Sequence, residues 1–377
     1  MTKKHLTPKL IVNTSDLASL VDCLQSQPVV SVDTESNSLF AYREQVCLIQ
    51  FSIPGQDFLV DPLALEDLRR LGRIFANPKI EKIFHAAEYD LLTLQRDFGF
   101  TFKNLFDTMV AARILGRKRV GLGSLLEEEF GVELEKKYQR ANWGKRPLPR
   151  AMLNYASLDT HYLIRLRNLL AKDLDKRNRW PIAREDFARL AQVNGKPPEP
   201  QGADVWRVSG VHDLKPQQVT ILRYLTEYRE KRAQKLDRPL FKVIGDKTLI
   251  AVAEYGPETI EELSALPGMT PGQVRRHGRA LLKAVWEGKQ SPPTKRPRTM
   301  YLDDQVINLL EALRNWRKLM ARKVGVESDI VLPKDILEKV GHSRPATKKE
   351  LATLMKDIPW RLQEYGDQIF RITQNFK

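Results

Sequence analysis

Cysteine is almost missing from this chain: Cys23 and Cys47 are the whole complement in 377 residues. Neither shows zinc-ligand spacing and two thiols build no disulfide framework, so a reducing compartment, the cytoplasm, is expected. Long apolar runs are missing as well. No stretch approaches the roughly 18 residues of a membrane-spanning helix. The opening Met-Thr-Lys-Lys-His leads into no apolar core of a signal peptide. A soluble chain with no membrane partner is expected, monomeric by default. Acid is in short supply: 47 acidic side chains face 62 basic ones, for a net charge of +15 and a pI near 9.7. Residues 1–200 carry 30 basic and 25 acidic groups, and residues 201–377 carry 32 and 22. That excess is a nucleic-acid footprint, and the C-terminal half is the better candidate for phosphate-backbone contact.

A hydrophobic fraction of 42% supports ordinary cores and excludes global disorder. The length allows two or three domains. Residues 28–60 read as strands: Val29, Val30 and Val32 open one, residues 45–53 form a second and residues 57–60 a third. A helix at 65–75, a strand at 79–84, a helix at 88–98, a short strand leading to Asp107 and a helix to Leu115 follow. Strands first, then strands alternating with helices, predict an α/β domain with a mixed sheet. Beyond Gly121 the pattern is helical and ends in one long helix over 150–174. Two segments rich in proline break the chain, Gly-Lys-Pro-Pro-Glu-Pro-Gln-Gly at 195–202 and Ser-Pro-Pro-Thr-Lys-Arg-Pro-Arg at 291–298.

Between and beyond these linkers the chain repeats itself. Shifted by 88 residues without a gap, Leu222 meets Leu310, Leu225 meets Leu313, Arg229 meets Arg317 and Ala233 meets Ala321. Val243 meets Val331, Leu249 meets Leu337, Pro257 meets Pro345 and Thr259 meets Thr347. Glu262-Leu263 meets Glu350-Leu351, Gly278 meets Gly366, and the aromatic Tyr228 meets Trp316. Chance agreement of two amphipathic helices does not reproduce matched Pro, Thr and Gly in one frame, so two copies of one small helical module are predicted.

Three elements carry candidate chemistry. In Val30-Ser-Val-Asp-Thr-Glu35, the period of two puts Ser31, Asp33 and Glu35 on one face and Val30, Val32 and Thr34 on the other. Two carboxylates side by side at the end of a buried strand are costly unless a hard cation accepts their oxygens; a solvated strand end is the ordinary alternative. In Ile83-Phe-His-Ala-Ala-Glu-Tyr-Asp90 a strand gives way to a helix. Asp90 falls in the first turns, near the sheet edge where α/β ligand sites gather, or else merely complements the helix dipole. His85 reads as a buried polar residue rather than a ligand. In Asn154-Tyr-Ala-Ser-Leu-Asp159, residues i and i+4 share a helix face, so Tyr155 and Asp159 point the same way. Tyr155 is the one tyrosine of ten followed by aspartate four residues on.

Taken together and in this order, the three elements resemble the DEDD exonuclease superfamily, in its tyrosine-bearing branch. Trp143-Gly-Lys-Arg146-Pro-Leu, Phe106-Asp-Thr108 and Ala111-Ala-Arg-Ile-Leu115 narrow the resemblance to the ribonuclease D family, and the repeated modules resemble HRDC domains, the second copy being the more divergent. The resemblance covers nearly the whole chain. It implies a ribonuclease H-like mixed-sheet exonuclease domain at 1–194, a linker at 195–212, a first HRDC-type module at 213–289, a basic linker at 290–299 and a second HRDC-like module at 300–377. It implies that Asp33, Glu35, Asp90 and Asp159 bind two divalent ions, Mg²⁺ or Mn²⁺, and that Tyr155 orients the attacking water. Asp107 is left out of that set, as the cap of the helix from Thr108. Two ions about 3.5–4 Å apart can clamp the entering and leaving oxygens of a phosphodiester. The implied activity is 3′→5′ exoribonuclease action releasing nucleoside 5′-monophosphates, on transfer-RNA precursor 3′ ends and other stable RNAs. The competing readings are a 3′→5′ DNA exonuclease of the same superfamily and a non-catalytic RNA-binding adaptor.

Phosphate contacts are expected from Arg117-Lys-Arg119, Lys136-Lys137, Arg140 and Lys145-Arg146. In the helical modules they are expected from Arg229, Lys231, Arg232, Arg275, Arg276 and Arg279, and from Arg317, Lys318, Arg322 and Lys323. Trp143 is expected either to stack on a base or to pack. A chain ending near residue 200 is expected to keep metal-dependent cleavage of short oligonucleotides.

Overall fold

Alternation of apolar and polar residues, together with one fully apolar run, organises the N-terminal domain around a six-stranded sheet. The computed structural model describes residues 7–192, 204–296 and 303–376. The expected linker at 195–202 lies outside these residues, as do the last two positions of the 291–298 linker. The strands are β1 (Lys9–Ile11), β2 (Val29–Ser36), β3 (Val46–Ile53), β4 (Gln56–Val60), β5 (Glu81–Phe84) and β6 (Leu105–Asp107), in the order β1-β4-β3-β2-β5-β6. β3 runs antiparallel to β2 and β4, while β1 pairs parallel with β4, β5 with β2 and β6 with β5. The sheet is therefore mixed, as expected. β3 is buried at all eight positions, as befits a central strand covered on both faces.

Helices cover each face. α1 (Thr14–Gln25), α2 (Arg69–Ala76) and α3 (Glu88–Phe98) bury Leu17, Leu20, Leu71, Ile74, Leu91 and Leu94 in one cluster with Val30, Val32 and Phe51. α4 (Thr108–Ile114), α5 (Leu122–Phe130), α6 (Arg150–His161), α7 (Leu163–Lys176) and α8 (Trp180–Leu190) follow. Ile83 and Phe106 pack with Leu163, Leu166 and Phe187, and Leu48 and Leu59 pack with Met152 and Ala156. The single helix expected over 150–174 is two helices meeting at Tyr162. The cause is lateral pinning: the Thr160 carbonyl accepts the Ser31 hydroxyl at 2.9 Å, and His161 Nδ1 lies 2.8 Å from Asp57. Periodicity cannot register such a break, because the apolar stripe continues through it.

The chain forms two compact units. One holds the sheet domain and the final module, residues 301–377; the other holds the first module together with residues 37–45. In the second unit, α9 (Pro216–Leu236), α10 (Leu240–Val243), α11 (Asp246–Tyr255), α12 (Ile260–Ser264) and α13 (Pro271–Gln290) enclose a core of Leu222, Leu225, Leu249, Leu263 and Leu281. Tyr42 joins that unit through its backbone N–H, which donates to Asp237 at 3.0 Å, and its hydroxyl, which accepts from Gln234 at 2.8 Å.

The final module, α14 (Asp304–Val324), α15 (Ser328–Val331), α16 (Lys334–Ser343), α17 (Lys348–Leu354) and α18 (Pro359–Gln374), reproduces the same devices 88 residues on. Arg229 donates to the Ile244 carbonyl at 3.1 Å, and Arg317 to the Leu332 carbonyl at 2.9 Å. Thr259 caps α12 while Glu262 reaches back to Glu258 N–H; Thr347 caps α17 while Glu350 reaches back to Ala346 N–H. Repetition of hydrogen bonds, and not only of residue types, makes these two copies of one module.

Within its unit the final module is seated on the sheet domain. Arg361, fully buried, donates to Glu185 at 2.9 Å, to Asp186 at 2.8 Å and to the Ile330 carbonyl. Arg113 is paired with Glu327 and Asp329 at 2.6 Å each. Gly116, at φ +73°, lies so close to Gly325 that a Cβ there would stand 2.2 Å from the Gly325 carbonyl oxygen. A chain ending near residue 200 would lose a partner that covers part of its own core, with Ile330 in one cluster with Phe106 and Leu163.

Candidate active site

The site begins with the overhang of β2. β5 pairs with Val29, Val30 and Ser31 and ends at Phe84, so β2 runs past it. On the other side β2 stays paired with β3, with Asp33 opposite Gln50 and Glu35 opposite Leu48. The space beyond the end of β5 is entered by the turn into α3. That turn is drawn in by Asp107, which caps α4 by accepting Met109 N–H at 2.8 Å and Val110 N–H at 3.0 Å. The same carboxylate also accepts Ala86 N–H at 3.2 Å and Ala87 N–H at 2.7 Å. Asp107 is thus the structural residue it was read to be. It ties two helix starts together.

Asp90 follows on α3, buried, and accepts the Thr34 hydroxyl at 2.5 Å. α3 packs on the Val30–Val32 face, so Asp90 arrives from one layer. Tyr155 and Asp159 arrive from α6 in the other. α6 is fixed in depth by Ser31, which donates to the Thr160 carbonyl, and by the 2.6 Å contact of the Ser52 and Thr160 hydroxyls. The five predicted residues thus come from three segments to one sheet edge.

Electrostatics registers how close they are. Burial first, then the charges of Asp90, Asp159 and Glu35, push the Asp33 carboxyl well above its usual range. Burial, then Asp159 and Asp90, do the same to Glu35. Every side-chain charge acting on these two is another carboxylate. Burial raises Asp159 to about 7, and burial raises Asp90 to about 7 against the opposing Thr34 bond. Tyr155 is raised too, by burial and then by Asp159, Glu35 and Asp33, so its hydroxyl keeps its proton at neutral pH.

One buried and three half-buried acids with no basic counter-charge among them are unstable as a set of anions. The donor set is all oxygen, which suits a hard divalent cation, so the residues fit the implied ions. Among the described residues no three acidic, histidine or cysteine side chains are already drawn tightly enough to hold an ion.

A cavity of about 530 Å³ opens beside Tyr155 and Asp159, lined also by His85, Arg119, Lys136 and Gln139. Thr108 donates its hydroxyl proton to the Phe84 carbonyl at 3.0 Å, so His85 Nδ1, 2.9 Å from the Thr108 hydroxyl oxygen, donates to that hydroxyl. Burial holds His85 below its ordinary pKa, which keeps the ring neutral.

Several expected nucleic-acid contacts are otherwise engaged. Trp143 is buried at 1% exposure, with its ring 6.2 Å from that of Tyr155, so it packs behind the tyrosine and presents no face to a base. Arg146 grips Asp61 at 2.5 and 2.7 Å and three carbonyls besides. Arg117 is paired with Glu129 and Asp173. Arg229, at 5% exposure, is held by Asp246 and Arg317 by its carbonyl, so the repeated arginines are structural. Lys136, Lys137, Arg140, Lys231, Arg275, Arg276, Arg279, Lys318, Arg322 and Lys323 remain on the surface.

Two polar residues escaped sequence reading. Thr34 gave no signal beyond its place on the apolar face. Gln50 did, as one amide in the apolar run Val46-Cys-Leu-Ile-Gln-Phe51.

Known proteins are similar to this chain over nearly its whole length. The family described as 3'-5' exonuclease matches residues 8–175, and the HRDC domain matches residues 218–285 and 307–373. The chain is 31% identical over 360 residues to ribonuclease D of Escherichia coli, covering 94% of this chain and 91% of that one. It is 31% identical over 294 residues to ribonuclease D of Gluconacetobacter diazotrophicus, covering 77% and 74%. The crystal structure of E. coli RNase D shares the fold, with a TM-score of 0.69 at 24% identity over 96% of this chain and all of that one. No helix among the described residues is long and apolar enough to cross a membrane.

Proposed function

This chain belongs to the ribonuclease D family and is a 3′→5′ exoribonuclease, and from that premise we propose that Asp33, Glu35, Asp90 and Asp159 hold two divalent cations while Tyr155 orients the attacking water. One observation carries the reading: four carboxylates from three separate segments, Asp90 buried and Asp33, Glu35 and Asp159 half-buried, lie within electrostatic reach of one another, with no basic side chain among the charges acting on Asp33 and Glu35. Bound there, Mg²⁺ or Mn²⁺ would acidify a water and stabilise the charge of a displaced 3′ oxygen.

The chain's own groups do the rest. The Tyr155 hydroxyl, kept protonated by its surroundings, donates a hydrogen bond and takes no proton. Glu35 offers an acceptor to the same water, so the two fix its direction of approach. Partial burial of Glu35, Tyr155 and Asp159 strengthens each of these interactions. The adjoining cavity is of ligand-pocket size and accepts the terminal nucleotide. The products are nucleoside 5′-monophosphates.

The physiological RNA we take to be transfer-RNA precursors and other stable RNAs, acted on in the cytoplasm by a monomer. Exposed basic residues of the modules, such as Arg275, Arg276 and Arg279, supply sequence-independent grip. Digestion of RNA labelled at the 5′ or the 3′ end, with Mg²⁺ or Mn²⁺ and with EDTA, tests the reading. Stepwise shortening from the 3′ end that stops on chelation is expected; shortening that survives full chelation overturns the cation assignment. Matched DNA oligomers in the same assay measure sugar preference.

A further inference from the structure

Gln50 stands in the middle of β3 with none of its surface exposed, and among the described residues neither its Oε1 nor its Nε2 has a hydrogen-bond partner. A buried amide left that way is destabilising, and interiors avoid it. Its sequence neighbours Ile49 and Phe51 and the same-face Leu48 are apolar, so a leucine or methionine would serve the core better. The amide calls for a role outside packing.

Register indicates where it works. Gln50 lies directly opposite Asp33 on β2 and opposite Leu59 on β4. Opposed residues share a face of the sheet, with Cβ atoms about 4.5–5.5 Å apart, which is within reach of a glutamine amide. Several other groups of this face offer it nothing. Leu48, Leu59 and Ala156 are apolar and buried. Ser31, Ser52 and Thr160 bond to one another. The Asp33 carboxylate accepts a backbone N–H from Thr34 and has oxygen lone pairs to spare.

We propose that Gln50 is a positioning residue of the exonuclease site, whose Nε2–H donates to the Asp33 carboxylate and fixes the orientation in which that carboxylate meets a divalent cation. The inference rests on the cation reading given above. The donation forms as Asp33 rotates into its ligating orientation. A carboxylate held this way presents its remaining lone pairs along one direction, and loss of such an outer hydrogen bond typically costs about 10–100-fold in metal affinity or activity.

The test uses Gln50→Met, which keeps volume and removes the amide, in the full-length chain. Mn²⁺ binding is followed by electron paramagnetic resonance, with thermal stability of the metal-free protein and the metal dependence of kcat measured alongside. The variant is expected to melt at or above the parent temperature, to bind Mn²⁺ at least about tenfold more weakly, and to recover part of its kcat at high Mn²⁺. A packing role alone predicts unchanged binding, and an unchanged isotherm overturns the proposal. Asp33→Ala is the control. If the parent binds Mn²⁺ and Asp33→Ala does not, the cation reading stands whatever Gln50→Met does; if the parent binds none, both fall together. Should Gln50→Met fail to fold, the parent still decides: the Gln50 side-chain NH₂ resonances, labelled with ¹⁵N, shift on Mg²⁺ addition, and their invariance refutes the hydrogen bond.

Discussion

Arg361 on α18 reaches Glu185 on α8 across 176 residues of sequence, at 2.9 Å and with the arginine wholly buried. Glu185 also accepts the Arg361 backbone N–H, and the same guanidinium takes Asp186 and the Ile330 carbonyl. The final module is thereby built into the sheet domain and is not appended to it. Breaking such a pair from one side strands a buried charge, at about 3–5 kcal/mol. Arg361→Met is expected to lower the stability by that amount in denaturant titration, and adding Glu185→Gln to recover part of it. A loss below about 1 kcal/mol would show that the pair is solvated in solution.

Removing one acid of the site separates stability from catalysis. Asp33→Ala and Asp159→Ala are each expected to abolish turnover. Each also removes a carboxylate that burial destabilises, like charges adding to this at Asp33, so the metal-free variants should melt no lower than the parent. Normal rates in either variant would falsify the site.

Metal binding should depend on pH with a defined sign. Asp90 and Asp159 are raised to about 7. Acids raised on folding bind more protons in the native state between their unfolded values and about pH 7, so their contribution to stability falls as pH climbs through that window. Cations compete with those protons. Mn²⁺ should therefore bind more weakly at pH 5.5 than at pH 8 and should raise the melting temperature more at pH 8. Calorimetric titration at both values checks this; equal affinities contradict it.

Tyr155→Phe keeps the ring packed against Trp143 and Tyr138 and removes only the hydroxyl. A fall in kcat of about 10²-fold is expected, with Mn²⁺ affinity unchanged. If kcat is retained, the hydroxyl does not direct the water.

The arginines of the first module divide into two kinds. Arg229, buried on Asp246, should cost about 1–3 kcal/mol of stability when changed to methionine. Arg275, Arg276 and Arg279 are exposed. Their replacement by alanine should leave melting unchanged, weaken RNA binding across all sequences, and reduce the salt slope by about 0.7 for each phosphate left without its arginine. An unaltered slope removes this face from the RNA path.

Much of this protein was legible in advance where chemistry is local. The period of two in Val30-Ser-Val-Asp-Thr-Glu35 places both carboxylates on one face without reference to anything else in the chain. The i, i+4 spacing does the same for Tyr155 and Asp159, and the 88-residue repeat survives because each copy closes its own hydrogen bonds. The mixed sheet followed from strand order. What failed were readings of isolated residues whose partner is remote. Arg146 looked available for RNA, and Trp143 stayed open between stacking and packing, because nothing near them in sequence reveals Asp61 or the Tyr155 ring.

By itself, then, the sequence determined which face of its own element each candidate side chain occupies, because backbone geometry sets those periods. Only the tertiary structure decided that β2 outruns β5 and leaves room for Asp90, that the 150–174 helix breaks over Ser31, and that the last module closes the sheet domain through Arg361. Each of these depends on contacts between residues far apart along the chain, and such contacts leave no periodic trace in either partner.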